Sequence, residues 1–282
     1  MIAVMGGLGA ATLWALSTLS STKSTRLIGA ACVLSWIMII GLGIDVAIIF
    51  IARTPLSADS STLAWMAASG IGNMLAMLLL FSALRVGKVG LVAPVASTEG
   101  AIAAAVALAV GEVLPVAGVA FMMVVVVGLL LAAYAPTIRG ATTAHRNPAI
   151  ALAFGAAVAG GISIYATGLI SSTVALPWAL LPPRLAGVLL LAIPLATLGR
   201  LKMSRAAAPF IIASACAELG GFAFFTIAAR ESIAIAAVLG SQFAALAAVG
   251  GYFFFKERLV RRQVLGVGLI VLGVAGLSAT QI

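Results

Sequence analysis

Residues 113–134, VLPVAGVAFMMVVVVGLLLAAY, contain no charged side chain. About 20 consecutive apolar residues are enough for a helix to cross the hydrocarbon core of a bilayer, so this stretch predicts a membrane-spanning helix. The rest of the chain has the same character, because 63% of its 282 residues are hydrophobic, 8% are charged and the mean hydropathy is +1.26. A soluble domain carries about 25% charged residues. The composition therefore predicts a polytopic helical membrane protein and excludes a separate soluble catalytic or nucleic-acid-binding domain.

Long apolar runs, broken by charges, prolines or polar clusters, divide the chain into ten predicted spans. Their approximate bounds are 2–21, 26–50, 62–84, 89–110, 113–134, 149–170, 176–198, 207–229, 233–254 and 263–280. The longest loop, residues 135–148, contains the single histidine, His145, and separates five spans from five. The two halves, 1–140 and 148–282, are the predicted structural units.

The two halves carry matching residues. An offset of 145 residues places Asn73 on Glu218, Ser97 on Gln242 and Glu112 on Glu257. For the second helix the sequence suggests a different offset of 158, which places Arg26-Leu27 on Arg184-Leu185. Because each half has an odd number of helices, two copies must lie in opposite orientations in the membrane. Inverted repeats are typical of secondary transporters, which bind substrate near the membrane midplane between the repeats.

Short motifs carry a family resemblance. They are Ser82-Ala83-Leu84-Arg85-Val86-Gly87, Ala93-Pro94-Val95 and Gly111-Glu112 with Leu114 in the first half, and Ala228-Ala229-Arg230 and Lys256-Glu257-Arg258-Leu259 in the second. These motifs resemble the repeat unit of the drug/metabolite transporter superfamily, in its EamA branch of ten-helix carriers. The resemblance implies an all-α integral membrane protein with two inverted five-helix repeats around a central cavity. It also implies an exporter of amino acids or related metabolites in a bacterial inner membrane.

Two carboxyl groups, Glu99 and Glu218, fall near the middle of the fourth and eighth predicted spans. A charge at this depth is costly and usually faces the bundle interior or a wet cavity. Each group is a candidate for proton coupling or for binding a substrate ammonium; the alternative is a protonated carboxyl that bonds helices together. The other candidates for the substrate-binding or proton-coupling site are polar and aromatic residues near mid-span: Asn73, Gln242, Ser97, Trp14, Tyr165 and Phe222.

Other conspicuous residues have structural explanations. Glu112 and Glu257 lie beside predicted helix junctions, which favours a capping or turn role. Asp45 is near the end of its predicted helix and is expected to be a solvated charge. Cys32 and Cys216 are predicted to be small core residues, because their spacing suits neither a disulfide framework nor a metal site.

Basic residues are distributed unevenly between the two sides of the predicted topology. One set of loops, 23–26, 85–88, 139–146, 200–205 and 256–262, holds 13 Lys and Arg, whereas the other side holds Arg53, Arg184 and Arg230. Basic loops face the cytoplasm, so the charge count places both termini outside. The family resemblance implies the opposite orientation.

The function predicted from these features is secondary active transport of a small polar metabolite by alternating access, with protons as a candidate coupling ion. A lipophilic or quaternary cation is the alternative substrate, held by the same acids and by cation–π contacts with Phe222, Phe225 and Trp14. A membrane-embedded enzyme would need clustered metal ligands or an activated nucleophile, and a passive channel is a further alternative. No cofactor, metal or nucleic-acid partner is expected. The expected partners are the bilayer and a small-molecule substrate, and the chain is expected to act as a monomer.

Overall fold

The computed structural model describes residues 1–86, 92, 95–132, 146–243, 245–246 and 261–280. All regular structure in these ranges is helical, which confirms the all-α prediction. The helices are α1 (Ile2–Ile28), α2 (Ala30–Ala52), α3 (Ser60–Val86), α4 (Glu99–Val110), α5 (Val116–Ala132), α6 (Arg146–Ile170), α7 (Leu176–Thr197), α8 (Ala208–Ala229), α9 (Ile233–Gly240) and α10 (Arg261–Ala279).

Six of these helices, α1, α2, α3, α6, α7 and α8, contain stretches of 22 to 24 residues that are long and apolar enough to cross a membrane. Shorter apolar segments occur in α4, α5 and α10. At 1.5 Å rise per residue, each of the six reaches the roughly 30 Å of a bilayer core. They indicate a multi-pass membrane protein.

The helices pack mainly against helices from the other half of the chain. The most extensive contacts join α1 to α8, α3 to α6 and α5 to α10. Further contacts join α1 to α9, α4 to α6, α4 to α9 and α2 to α7. The interior of the molecule is therefore formed between the first five helices and the last five.

Two helical segments are interrupted by a turn near polar residues. The Thr98 amide donates to the Val95 carbonyl at 3.2 Å just before α4, and the Gln242 amide donates to the Leu239 carbonyl at 3.1 Å just after α9. Both bonds span three residues instead of the four of an α-helix. Glu99 was expected midway along a continuous helix, but it occupies the first turn of α4, where unpaired amides and the helix dipole favour a carboxylate.

The boundaries of α2 and α7 correct the offset of 158 between the halves. That offset would place Ala30–Ala52 on residues 188–210, which run past the end of α7 and into α8. An offset of 146 places α2 on residues 176–198, almost the bounds of α7. The helix bounds therefore do not support the match of Arg26 with Arg184.

Some sequence predictions fall on residues that are not described. Glu257 and His145 lie outside the described ranges, as does most of the loop that divides the predicted halves 1–140 and 148–282. The division into these two units stays a prediction at this point.

Candidate functional site

A cavity of about 250 Å³ lies between helices of both halves. Five of the predicted site residues line it: Glu218, Glu99, Asn73, Trp14 and Phe222. Asn73 and Glu218, which the 145-residue offset pairs, are both largely buried and come from α3 and α8. The structure therefore brings together the acids, the amide and two of the aromatic side chains.

The cavity extends from the middle of the bundle toward one end. A stripe of residues on α1, spaced three or four apart, follows it: Trp14, Ser17, Thr18, Ser21 and Thr25. The α1 residues before Trp14 do not line it, and the α8 residues after Phe222 do not either. The four hydroxyl residues of this stripe were not predicted as site residues, although their spacing of three or four residues could have indicated a common helix face.

An aromatic cluster closes the inner end of the cavity. The ring centroid of Trp14 lies 5.2 Å from that of Phe222, 6.0 Å from that of Phe225 and 6.5 Å from that of Phe243. A Cβ atom on Gly221 would overlap the Trp14 indole. The indole can therefore occupy this place only because α8 carries a glycine there.

Several polar atoms at the cavity find no hydrogen-bond partner within the described part of the chain. They are Nε1 of Trp14, Oδ1 of Asn73 and Oε1 of Glu218, all of them buried. Burying a polar group without a partner is costly. Two of these three atoms, Oδ1 of Asn73 and Oε1 of Glu218, are hydrogen-bond acceptors, so the cavity favours a ligand group that donates hydrogen bonds.

Glu99 on α4 lines the cavity where α4 packs against α6. Its carboxyl group lies against Gly160, where a Cβ atom would overlap it. Because Gly160 has no side chain, the Glu99 carboxyl group can lie directly against the backbone of α6. Glu99 and Glu218 line the same cavity, so the two acids belong to one candidate site.

Three predicted site residues do not line the cavity. Tyr165 packs against Trp65 with ring centroids 5.8 Å apart, and Gln242 donates from Nε2 to the Val238 carbonyl at 2.9 Å. Ser97 is fully buried beside the turn that precedes α4. These positions were chosen because they are polar or aromatic near mid-span, and that criterion does not indicate which side of a helix faces the cavity.

Asp45 and Arg184 form a buried ion pair that sequence reasoning missed. The expected solvated charge of Asp45 is wrong, because its residue is 0% exposed, and Arg184 is 1% exposed inside α7 instead of lying in a loop. Their Oδ2 and Nε atoms are 3.8 Å apart. The signal in the sequence was a lone charge within each apolar run, which in a membrane usually indicates a partner.

The remaining structural predictions have mixed outcomes. Glu112 caps a helix, as predicted, but the helix is α9: its carboxylate accepts hydrogen bonds from the Ser232 hydroxyl and from the Ala234 amide, the latter at 3.2 Å. Cys32 is buried as expected, whereas Cys216 is exposed. The prediction that Cys216 is a core residue is wrong, because this residue lies on the face of α8 that points away from the core.

Comparison with known proteins gives the fold alone. No family model and no curated protein matches the chain. Among 28 matching chains of solved structures, one described only as "Crystal structure of protein" superposes with a TM-score of 0.78. The superposition covers 97% of this chain and 95% of that chain at 19% identity. The chain therefore shares its fold, over nearly its full length, with a protein of known structure.

Proposed function

We propose that this protein is a secondary transporter of a small polar metabolite that works by alternating access, an EamA-type carrier of the drug/metabolite transporter superfamily. The observation that carries the proposal is the cavity between the two halves, lined by Asn73 and Glu218 from corresponding positions. Substrate sites of transporters with inverted repeats lie near the midplane where the repeats meet.

The proposed architecture is ten transmembrane helices in two inverted five-helix repeats. Helix packing supports it, because exchanging each helix of one half for its counterpart in the other leaves the main contacts unchanged. The contact of α1 with α8 becomes that of α6 with α3, and the contact of α1 with α9 becomes that of α6 with α4. The pairs α2–α7, α4–α9 and α5–α10 each map onto themselves.

Individual contacts repeat at the same offsets. The Ser214 hydroxyl donates to the Ser17 carbonyl at 3.1 Å, and the Ser163 hydroxyl donates to the Ser69 carbonyl at 2.7 Å. Ser17 corresponds to Ser163 at an offset of 146, and Ser69 corresponds to Ser214 at an offset of 145. The two serine pairs therefore occupy corresponding positions, as a two-fold axis in the membrane plane would require, although the donor is on the third helix of its half in one pair (Ser214 on α8) and on the first helix in the other (Ser163 on α6).

The glycines of α2 and α7 give a second repeated contact. A Cβ on Gly187 would overlap the side chain of Met38, and a Cβ on Gly41 would lie 3.1 Å from Cγ of Arg184. At the offset of 146, Met38 corresponds to Arg184 and Gly41 corresponds to Gly187. The two contacts are therefore one contact seen from each half.

Alternating access fits a cavity that reaches only one end. The α1 stripe from Trp14 to Thr25 lines the cavity, whereas the corresponding part of α6, from Gly160 to Ser171, contributes only Gly160 and Ile164. A molecule built from two inverted copies can exchange these roles and open at its other end. A channel would need both ends open at once.

The acids favour a substrate with an ammonium group, as amino acids and related metabolites have. The alternative, a lipophilic or quaternary cation, is favoured by the aromatic cluster of Trp14, Phe222 and Phe243, since aromatic faces attract cations. The two classes differ in hydrogen bonding. Only an ammonium with N–H groups supplies donors to Asn73 and Glu218.

The proposed role of Glu218 is tested with Glu218→Gln, which keeps the size of the side chain but cannot ionise. Purified protein in proteoliposomes is assayed with radiolabelled amino acids, polyamines and quaternary amines, with and without a pH gradient. We expect saturable transport of one class by the wild type, reduced at least about tenfold in Glu218→Gln, which is typical for loss of a charge contact. Unchanged rate and pH dependence in the variant would show that Glu218 only joins helices, and absence of transport for every class would count against the proposal itself.

A further inference from the structure

Arg184 is a buried cation with incomplete contacts. Its Nη1 donates to the Leu180 carbonyl at 2.9 Å, and its Nε lies 3.8 Å from Oδ2 of Asp45. Nη2 and both carboxylate oxygens of Asp45 have no hydrogen-bond partner among the described residues. A guanidinium normally holds a carboxylate through two parallel hydrogen bonds, so Asp45 holds Arg184 only loosely.

The other side of Arg184 faces the cavity wall. Its guanidinium carbon lies 4.6 Å from the centroid of the Phe222 ring, and Phe222 is a cavity residue one helical turn after Glu218. Nη2 of Arg184 and Oε1 of Glu218 are both buried, and both lack a hydrogen-bond partner among the described residues. The guanidinium therefore lies between Asp45 on α2 and the turn of α8 that follows Glu218.

Charge balance makes this position consequential. Arginine stays protonated in proteins, and within the described residues Arg184 is the only basic side chain buried beside the cavity. Three carboxyl groups accompany it: Asp45 on α2, Glu99 on α4 and Glu218 on α8. The parts of α1, α3 and α9 packed here add only uncharged groups. One fixed cation can neutralise one carboxylate at a time, so the others need a proton or a bound cation.

We propose that Arg184 is an internal counter-ion shared between Asp45 and Glu218, which moves its guanidinium toward Glu218 when no proton or cationic substrate neutralises that carboxyl. When a proton or a cationic substrate neutralises Glu218, the guanidinium stays with Asp45. Arg184 is then a positioning residue that competes with the ligand for the binding acid. The inference rests on the proposed function for its meaning in transport, but the competition itself concerns only protons and charges within the protein.

The test measures the fraction of Glu218 that carries a proton at a fixed pH, by infrared spectroscopy of the protonated carboxyl band in purified protein. The band of Glu218 is the one that disappears in Glu218→Gln. Asp45→Asn removes the carboxylate that competes with Glu218 for Arg184, so we expect the proton affinity of Glu218 to fall about tenfold or more. The double variant Asp45→Asn/Arg184→Gln removes the shared cation, and we expect the proton affinity to rise by a similar factor.

These opposite shifts distinguish a shared counter-ion from a static structural pair. If Arg184 serves Asp45 alone, both variants lower the melting temperature but leave the Glu218 band unchanged, which would overturn the inference. Arg53→Gln is the matched control, since it removes the same charge from the exposed end of α2. If the double variant does not fold, Asp45→Asn decides alone. A lower proton affinity of Glu218 in that variant supports the shared counter-ion, and an unchanged Glu218 band overturns it. None of these outcomes depends on transport, so failure of the proposed function is recorded separately.

Discussion

At the scale of single residues, the cavity depends on places where a side chain is missing. Gly160 allows the Glu99 carboxyl group to lie against α6, and Gly221 allows the Trp14 indole to lie against α8. Interiors are packed so closely that one added methyl group is felt. The two glycines therefore set the positions of an acid and an aromatic ring that line the same cavity.

The prediction at this scale concerns Gly160→Ala. The new methyl group would overlap Oε2 of Glu99 and lie 3.2 Å from its Cδ. Because the end of this side chain can move aside, we expect the carboxyl group to leave the α6 backbone and the protein to lose about 1 kcal/mol of stability, the low end for an overpacked core. Gly43→Ala is the control, because a Cβ there meets nothing within 4 Å. It should be neutral or stabilise α2 by up to about 1 kcal/mol through helix propensity. Thermal unfolding of both purified variants measures the difference; equal melting temperatures would contradict the contact.

Sequence reasoning identified some of these residues and could not identify others. Glu218, Glu99 and Asn73 could be predicted because an ionisable or amide group inside an apolar run is unusual whatever its neighbours. The ion pair of Asp45 with Arg184 could not be predicted, because it joins residues 139 positions apart on helices whose relative rotation the sequence does not give. For the same reason, the sequence could not indicate that Tyr165, Ser97 and Gln242 lie away from the cavity.

At the scale of helices, acidic side chains contact the starts of α1 and α3. Asp59 accepts from the Thr62 amide at 2.8 Å and so caps the start of α3. Glu231, at the end of α8, accepts from the Ala3 amide in the first turn of α1. These acids supply acceptors to helix starts, whose first amides have no partner within their own helix.

The Glu231 contact predicts a pH-dependent contribution to stability. The Ala3 amide holds the pKa of Glu231 below its ordinary value of 4.5. A lowered native pKa means that the unfolded chain binds the proton more readily, so the contribution is complete above the ordinary value and is lost as the pH falls through the native one. We expect Glu231→Gln to melt at a lower temperature than the wild type at pH 7. This gap should narrow as the pH falls below 4.5 and through the lower native pKa, and a gap that is independent of pH would exclude the carboxylate as its source.

The helix positions themselves could largely be predicted, because a run of about 20 apolar residues has few alternatives in a membrane protein. The turns at Thr98 and Gln242 could not, since nothing in an Ala-rich run reports where a single backbone hydrogen bond shifts from four residues to three. The 158-residue offset rested on one Arg-Leu pair, whereas the bounds of α2 and α7 fit an offset of 146.

At the scale of the whole molecule, the cavity extends toward Thr25, which lies between Lys23 and Arg26 in the last two turns of α1. Residues 23–26 were predicted to form a loop, but they are helical. Because Arg184 is buried inside α7, the opposite side of the predicted topology keeps only Arg53 and Arg230 of its three basic residues. In that topology 13 basic residues lie on one side and two on the other, so we expect the end toward which the cavity extends to face the cytoplasm.

Cysteine labelling tests both the one-ended cavity and its orientation. In a Cys32→Ser/Cys216→Ala background, Thr25→Cys is compared with Ser171→Cys, the position related to it by the 146-residue offset. Thr25 lines the cavity and is partly exposed, whereas Ser171 is 1% exposed at the closed end. We expect a charged, membrane-impermeant thiol reagent to label Thr25→Cys at least about tenfold faster, since reaction requires access by water. The charge distribution predicts that labelling occurs in inside-out vesicles and not in right-side-out ones. The reverse would agree with the orientation that the family resemblance implies, and equal labelling of the two positions would contradict a cavity that extends toward one end alone.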